Sequence, residues 1–271
     1  MIISISRRCD IPRFQFDWFM ECFNRGFVDV ANPYNPKQIK CVSLVRDDVD
    51  IFVFWTRDPE QILANADIFI QKGFPFYVMV SLTGYPSLLE PNQAPAADVI
   101  ESMKSLSQKI GKEKVIWRYD PIILTSITDN DFHKRNFSAL AQNLEGAAQR
   151  VIISIYDKYA KAEKRFNELE REGKLKLLDM SIESLSGVLS DIKESAQSAG
   201  MEIQSCAENE NLSMLGIRGG ACIDAALIKN ICGAESEEKD KNQRPNCLCC
   251  KSIDIGAYKT CKADCVYCYA R

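Results

Sequence analysis

The stretch "SIDIGAYKTCKADCVYCYAR", residues 252–271, decides how the rest of the chain is read. Its first seven residues alternate apolar and polar side chains and predict a short β-strand. Directly behind them Cys261, Cys265 and Cys268 form a C-x3-C-x2-C array, with Tyr267 immediately before the last cysteine. A strand that runs into a loop of three thiols raises two questions: which sheet the strand joins, and what three sulfurs so close together hold.

Upstream, β-rich runs alternate with longer helical patterns. Strands are predicted at 2–6, 27–31, 50–55, 76–82, 114–120, 150–156, 201–206 and 252–258. Several are continuous apolar runs, the pattern of parallel strands buried on both faces. Between them, "DPEQILANADIFIQKG" opens on Asp-Pro and stops at Gly73, "APAADVIESMKSLSQKIG" stops at Gly111, and "TDNDFHKRNFSALAQNLEG" stops at Gly146. Two more helical stretches, "KYAKAEKRFNELEREGK" and "SIESLSGVLSDIKESAQSAG", follow. This alternation defines an α/β chain with right-handed parallel crossovers. About eight strands and six or seven helices predict a TIM-barrel-like β/α barrel, complete or partial. An open doubly wound sheet is the alternative, and no G-x-G-x-x-G fingerprint supports it. The expected division is a barrel core, residues 1–205, and a cysteine-rich segment, 206–271, that completes the barrel and carries the metal sites.

The 271 residues can bury a large core. A net charge of -3 gives no basic footprint for nucleic acid. No apolar run reaches the length of a membrane span, and "MIISISRRCDIP" lacks the apolar region of a signal peptide, so the expected location is the cytoplasm. Structural disulfides are disfavoured there, yet the chain has 12 cysteines. Cys9, Cys22 and Cys41 come early, none follows until Cys206, and the other nine crowd the last 66 residues. The early three read as small buried hydrophobes; the late ones read as ligands.

Structural zinc closes with four ligands, and the 261–268 loop supplies three. A cubane iron–sulfur cluster has four iron corners; three cysteines leave one iron open. The array, with its aromatic residue before the last cysteine, resembles the motif of the radical S-adenosylmethionine (SAM) enzymes. The resemblance implies a [4Fe-4S] cluster on Cys261, Cys265 and Cys268 whose open iron binds S-adenosylmethionine. Reductive cleavage then gives a 5'-deoxyadenosyl radical that abstracts hydrogen from a substrate. In most of those enzymes the loop follows the first barrel strand; here it follows what would be the last, as in a circularly permuted order. The segments "ISISRRCDIP" (3–12), "NPYNPKQI" (32–39), "FWTRDP" (54–59), "LTGY" (82–85), "EPN" (90–92) and "VIWRYDPI" (115–122) extend the likeness end to end. Together they resemble the domain of unknown function 1848 family, bacterial proteins without an assigned reaction, some loosely labelled photolyase-like. Cys9 departs from the threonine of that pattern. The resemblance implies a flavodoxin or ferredoxin as electron donor; a nucleic-acid substrate finds no support in the charge.

Cys206, Cys222, Cys247 and Cys249 make a second set, enough for a closed site. An auxiliary iron–sulfur cluster is the expected occupant, with zinc the alternative. A non-catalytic iron–sulfur or zinc barrel protein is the competing reading for the whole chain.

In a barrel, chemistry sits at the C-terminal ends of strands. That rule nominates Arg7, Arg8 and Asp10 after the first strand, Thr56 and Arg57 after the third and Thr83 after the fourth. Arg118 with Asp120 ends the fifth strand, and Asp157 closes the sixth. Arginine suits a carboxylate or phosphate, so Arg7, Arg8, Asp10, Arg118 and Asp120 are the catalytic candidates, against an internal ion-pair network at the sheet's mouth. Tyr267, Thr83 and Arg118 are the cofactor-binding candidates. Asn32 and Asn35, around two prolines, predict a rigid shaped loop. The only histidine, His133, is expected on a helix surface, which argues against a Ser-His-Asp triad.

Overall fold

A computed structural model describes residues 1–208, 212–236 and 238–271. In chain order the elements are β1 (Ile2–Ile5), α1 (Ile11–Phe14), α2 (Phe16–Arg25), β2 (Phe27–Asn32), β3 (Asn35–Ser43), β4 (Ile51–Thr56), α3 (Glu60–Gln71), β5 (Phe76–Ser81), α4 (Ala96–Ile110), β6 (Val115–Ile122), α5 (Asn130–Asn143), β7 (Arg150–Ile155), α6 (Ala160–Arg171), α7 (Ile182–Ser198), β8 (Glu202–Cys206), β9 (Arg218–Gly220), α8 (Ala225–Cys232) and β10 (Ile253–Asp254). No helix among the described residues is long and apolar enough to cross a membrane.

Eight strands form one parallel sheet in the order β10-β1-β4-β5-β6-β7-β8-β9. Apart from β10, each new strand adds to the same side of the last, so the sheet is singly wound and the doubly wound alternative does not hold. Gly26 and Gly233 end α2 and α8 in the left-handed conformation that lacks a Cβ penalty. Apolar faces of α2, α3, α4, α5 and α7 share one core with alternate sheet residues such as Phe52, Phe54, Val78, Trp117 and Ile153. The residues between them, Ile51, Val53, Trp55, Tyr77, Met79, Ile116 and Ile152, face the other way. They pack with Cys206, Cys222, Ile223, Leu227, Ile228, Cys247 and Cys249. The cysteine-rich segment therefore fills the inner face of the sheet.

The sheet does not close. β9 and β10 are its two edges, and among the described residues no strand pairing joins them. Two glycines in a three-residue β9 and a two-residue β10 leave little ladder to build with. The predicted strand 27–31 is not in this sheet either: β2 pairs antiparallel with β3 in a separate hairpin. Asn32 and Asn35 lie at the tip of that hairpin, where the Asn32 carboxamide accepts from Tyr34 N at 2.9 Å. The outward expectation for His133 also fails. It is fully buried, its ring bonded to Tyr119 Oη at 2.8 Å and to Ile123 O at 3.1 Å. Burial lowers its pKa to about 4, because α5 packs that face onto β6 beside Trp117 and Phe137.

Candidate functional site

The 260–271 segment lies across the C-terminal ends of the strands. Val266 N donates to Leu89 O at 2.9 Å, and Asn92 donates to Lys262 O at 2.9 Å. Arg165 of α6 donates from Nε to Val266 O at 2.7 Å and from its second amine to Cys268 O. Tyr269 Oη donates to Arg7 O at 2.9 Å. Positive φ at Lys259 and Asp264 brackets the first turn of the loop. Three separate parts of the chain thus fix one short loop, and its three cysteines are half-buried (Cys261, Cys268) or buried (Cys265).

Behind the loop sits a buried polar network that sequence reading only partly foresaw. Glu90 accepts from Thr83 Oγ1 at 2.6 Å, and from Arg57 and Tyr267. Arg57 also donates to Thr83 Oγ1 at 2.9 Å and to Tyr267 Oη at 3.0 Å. Tyr267 and Thr83 are therefore joined through Arg57 and Glu90. The Arg57 backbone N–H and Arg13 N donate to Asp10 at 2.8 and 3.1 Å. Burial lifts the Asp10 carboxyl to about 6. Burial pushes the Cys265 thiol up to about 11, against the pull of Arg57, and Gln93 Nε2 approaches Cys265 Sγ at 3.6 Å. Arg57 Nε and Tyr156 Oη are buried beside the loop with no hydrogen-bond partner among the described residues. Glu90 carried no signal of its own: an acidic residue in a loop reads as solvated.

The remaining candidates form a second group. Arg7 and Arg118 lie over the Trp55 ring, their guanidinium carbons 5.6 and 4.9 Å from its centroid. Arg118 pairs with Asp120, which also accepts from Ser154 Oγ. Arg7 donates to Ser252 Oγ at 2.7 Å and to Asp240 at 3.4 Å. Asp254 holds this corner by accepting from Ser4, Ser6 and Arg7 N at 2.6–2.8 Å. Arg8 turns outward instead, donating to Gly256 O at 3.2 Å and lying over Tyr258. Thr56 Oγ1 donates to Asp58 O at 2.8 Å, and Asp157 pairs with Arg244. A cavity of about 300 Å³, lined by Glu113, Arg150, Glu202 and Asn230 among others, opens beside the starts of β6–β8, at the far end of the strands from the loop.

The four other cysteines share one buried cluster. The Cys222 thiol donates to Cys206 Sγ at 3.4 Å, and Cys247 and Cys249 pack in the same buried cluster. The Cys206 and Cys249 sulfurs are held below the ordinary thiol range by the neighbouring thiols, while Cys222 and Cys247 are pushed above it. Among the described residues no three His, Cys, Asp or Glu side chains stand in a metal-holding arrangement as placed. What fits a metal is the chemistry of the donors: buried sulfurs, neighbouring guanidiniums, and buried N–H groups without acceptors.

The family model described as a domain of unknown function, DUF1848, matches residues 2–270. The chain belongs to that family. No curated protein matches it.

Proposed function

We propose that the chain is a radical S-adenosylmethionine enzyme of unassigned substrate, built on a partial β/α barrel with one unclosed seam. The observation that carries this reading is the 261–268 loop. Three thiols on one loop, tethered over the C-terminal ends of parallel strands, adjoin a buried Arg57–Glu90 pair and two unpartnered polar atoms. Cys261, Cys265 and Cys268 would hold a [4Fe-4S] cluster, leaving one iron for S-adenosylmethionine. When bound, that pair supplies one-electron cleavage of the sulfonium and hydrogen abstraction, with a reduced flavodoxin or ferredoxin as electron source.

The chain's own residues do the rest. Glu90, Thr83 and Arg57 fix Tyr267, and with it the direction in which Cys265 and Cys268 point. Burial of Cys265 keeps water from one side of the loop. Arg57 Nε and Tyr156 Oη offer hydrogen bonds to a ligand at the loop. Arg7, Arg118 and Asp120 present paired charges on the inner face, where a substrate entering from the open end would meet them. A cytosolic setting belongs to the same proposal, since a reducing compartment keeps the thiols available.

The test is anaerobic iron and sulfide analysis with EPR of the reduced protein, with and without S-adenosylmethionine. The comparison is a Cys261→Ala, Cys265→Ala, Cys268→Ala chain. Loss of about four irons in the variant, and a signal that changes with S-adenosylmethionine only in the parent, are expected. Equal iron in both, or a parent signal indifferent to S-adenosylmethionine, leaves a non-catalytic metal protein.

A further inference from the structure

The four other cysteines share one buried cluster at the seam of the sheet. Cys206 ends β8, Cys222 follows β9, and Cys247 and Cys249 come before β10 returns to β1. No backbone ladder joins the two edges, so whatever gathers these sulfurs ties one edge to the other. The Cys206 and Cys222 sulfurs stand 3.4 Å apart. Four sulfurs at a Zn–S distance of about 2.3 Å lie roughly 3.8 Å from one another around a tetrahedral ion. The Cys206–Cys222 pair is close to the spacing that a single ion imposes, and Cys247 and Cys249 lie in the same buried cluster. Cys249 Sγ already accepts a backbone N–H, from Ile223 at 3.3 Å.

The neighbouring thiols are otherwise engaged. Cys250 Sγ donates to Ile223 O at 3.4 Å and Cys232 Sγ to Ile228 O at 3.2 Å. That leaves four. Four thiolates around a divalent cation make a doubly negative centre, which burial penalises unless cations stand near. Trp55 packs in the same buried cluster as the four cysteines and carries both Arg7 and Arg118 over its ring. Among the described residues, Arg7 Nε, Arg118 Nε and Trp55 Nε1 are all buried without an acceptor. Buried N–H groups rarely stay unpaired; thiolate sulfur is the acceptor at hand.

We propose that Cys206, Cys222, Cys247 and Cys249 hold one zinc ion that clasps the unpaired edges of the sheet, with Arg7 and Arg118 balancing its charge. The site is separate from the 261–268 loop and does not rest on the radical reading. The experiment uses the full chain carrying Cys261→Ala, Cys265→Ala and Cys268→Ala, titrated anaerobically with Zn²⁺ and, as a spectroscopic probe, Co²⁺. The expected result is about one ion per chain and the visible spectrum of tetrahedral tetrathiolate cobalt. The spectrum is unchanged by a further Cys250→Ser and shifted to a three-sulfur form by Cys249→Ser. Zinc raises the melting temperature, and less so with Arg118→Gln. No stoichiometric binding, an unaltered spectrum with Cys249→Ser, or preferential uptake of iron and sulfide over zinc each overturns the proposal. The response of the unsubstituted chain's EPR to S-adenosylmethionine reads the radical proposal independently.

Discussion

Replacing Glu90 with alanine tests whether the network behind the three-cysteine loop is what holds it. The Glu90 side chain is only 2% exposed and its partner Arg57 12%. Glu90→Ala therefore strands a buried guanidinium and removes the acceptor shared by Thr83 and Tyr267. Breaking a buried pair from one side costs about 3–5 kcal/mol. With a urea slope of about 3 kcal/mol/M for a chain of this size, the midpoint should fall by roughly 1–1.7 M. Removing both charges, as Glu90→Ala with Arg57→Met, should recover most of that loss, because an apolar replacement of a buried pair is often neutral. A thiol-reactive probe provides the local readout: Cys265, now buried, should label faster in Glu90→Ala and regain protection in the double variant. A midpoint change below about 0.3 M, under 1 kcal/mol on that slope, or unchanged Cys265 labelling, would refute the claim that Arg57–Glu90 anchors the loop.

Asp10 should make the fold less stable as pH rises. Its folded pKa, about 6, lies above the ordinary 3.8, so the folded state binds the proton more tightly. Stability then declines between roughly pH 4 and 6, by up to about 3 kcal/mol for this group. Asp10→Asn should gain on the parent at pH 7 relative to pH 4.5, and an equal difference at both values would show the carboxyl to be unperturbed. His133 works in the opposite sense: with its pKa lowered to about 4, it stays neutral in the fold while the unfolded chain protonates below about 6.5. It therefore withdraws stability as pH falls from 6.5 to 4. As the sole histidine its ring protons are unambiguous by NMR, and they should not shift between pH 5.5 and 8. Gly256→Ala would drive a methyl group into Ser6 and Cys9; about 1–3 kcal/mol of lost stability is expected by chemical denaturation.

The strands that were legible share one property. Runs such as 51–55 and 151–153 are apolar at every position because both faces of β4 and β7 are covered, by helices on one side and by the cysteine-rich segment on the other. Strand 27–31 shows the limit: "FVDVA" has the composition of a sheet strand, but alternate burial suits a hairpin with one wet face. β9 was unreadable because "RGG" has neither pattern nor propensity; it exists through its neighbour β8. The cysteines were legible through spacing. The grouping of the charged residues was not: the strand-end rule nominates Arg57, but its partner Glu90 is 33 residues away in a loop. His133 was misplaced because one histidine in a polar helix reads as solvated, whereas the Tyr119 hydroxyl and the Ile123 carbonyl satisfy it inside.

The position of the three-cysteine loop in the chain and its position in the sheet are different matters. β10 is the last strand in sequence, yet it pairs parallel with β1, with Ile253 opposite Ile3 and Asp254 opposite Ser4. The loop that leaves β10 therefore emerges next to the segment that leaves β1, and Arg8 reaches Gly256 while Tyr269 reaches Arg7. A parallel sheet points every strand's C-terminal end the same way, so any loop that follows a strand opens onto the same rim. Which strand comes first along the chain changes the connections but not the rim. A test of this argument is to move the termini. Joining residues 271 and 1 by a flexible linker and opening the chain at the exposed tip of the β2–β3 hairpin, at Tyr34, would place β1, α1, α2 and β2 after the loop, so that it no longer ends the chain. If the rim alone fixes the loop, Cys265 should keep the labelling protection it has in the parent. Rapid labelling in a rearranged chain that still melts cooperatively would mean that the chain order, not the sheet, holds the loop in place.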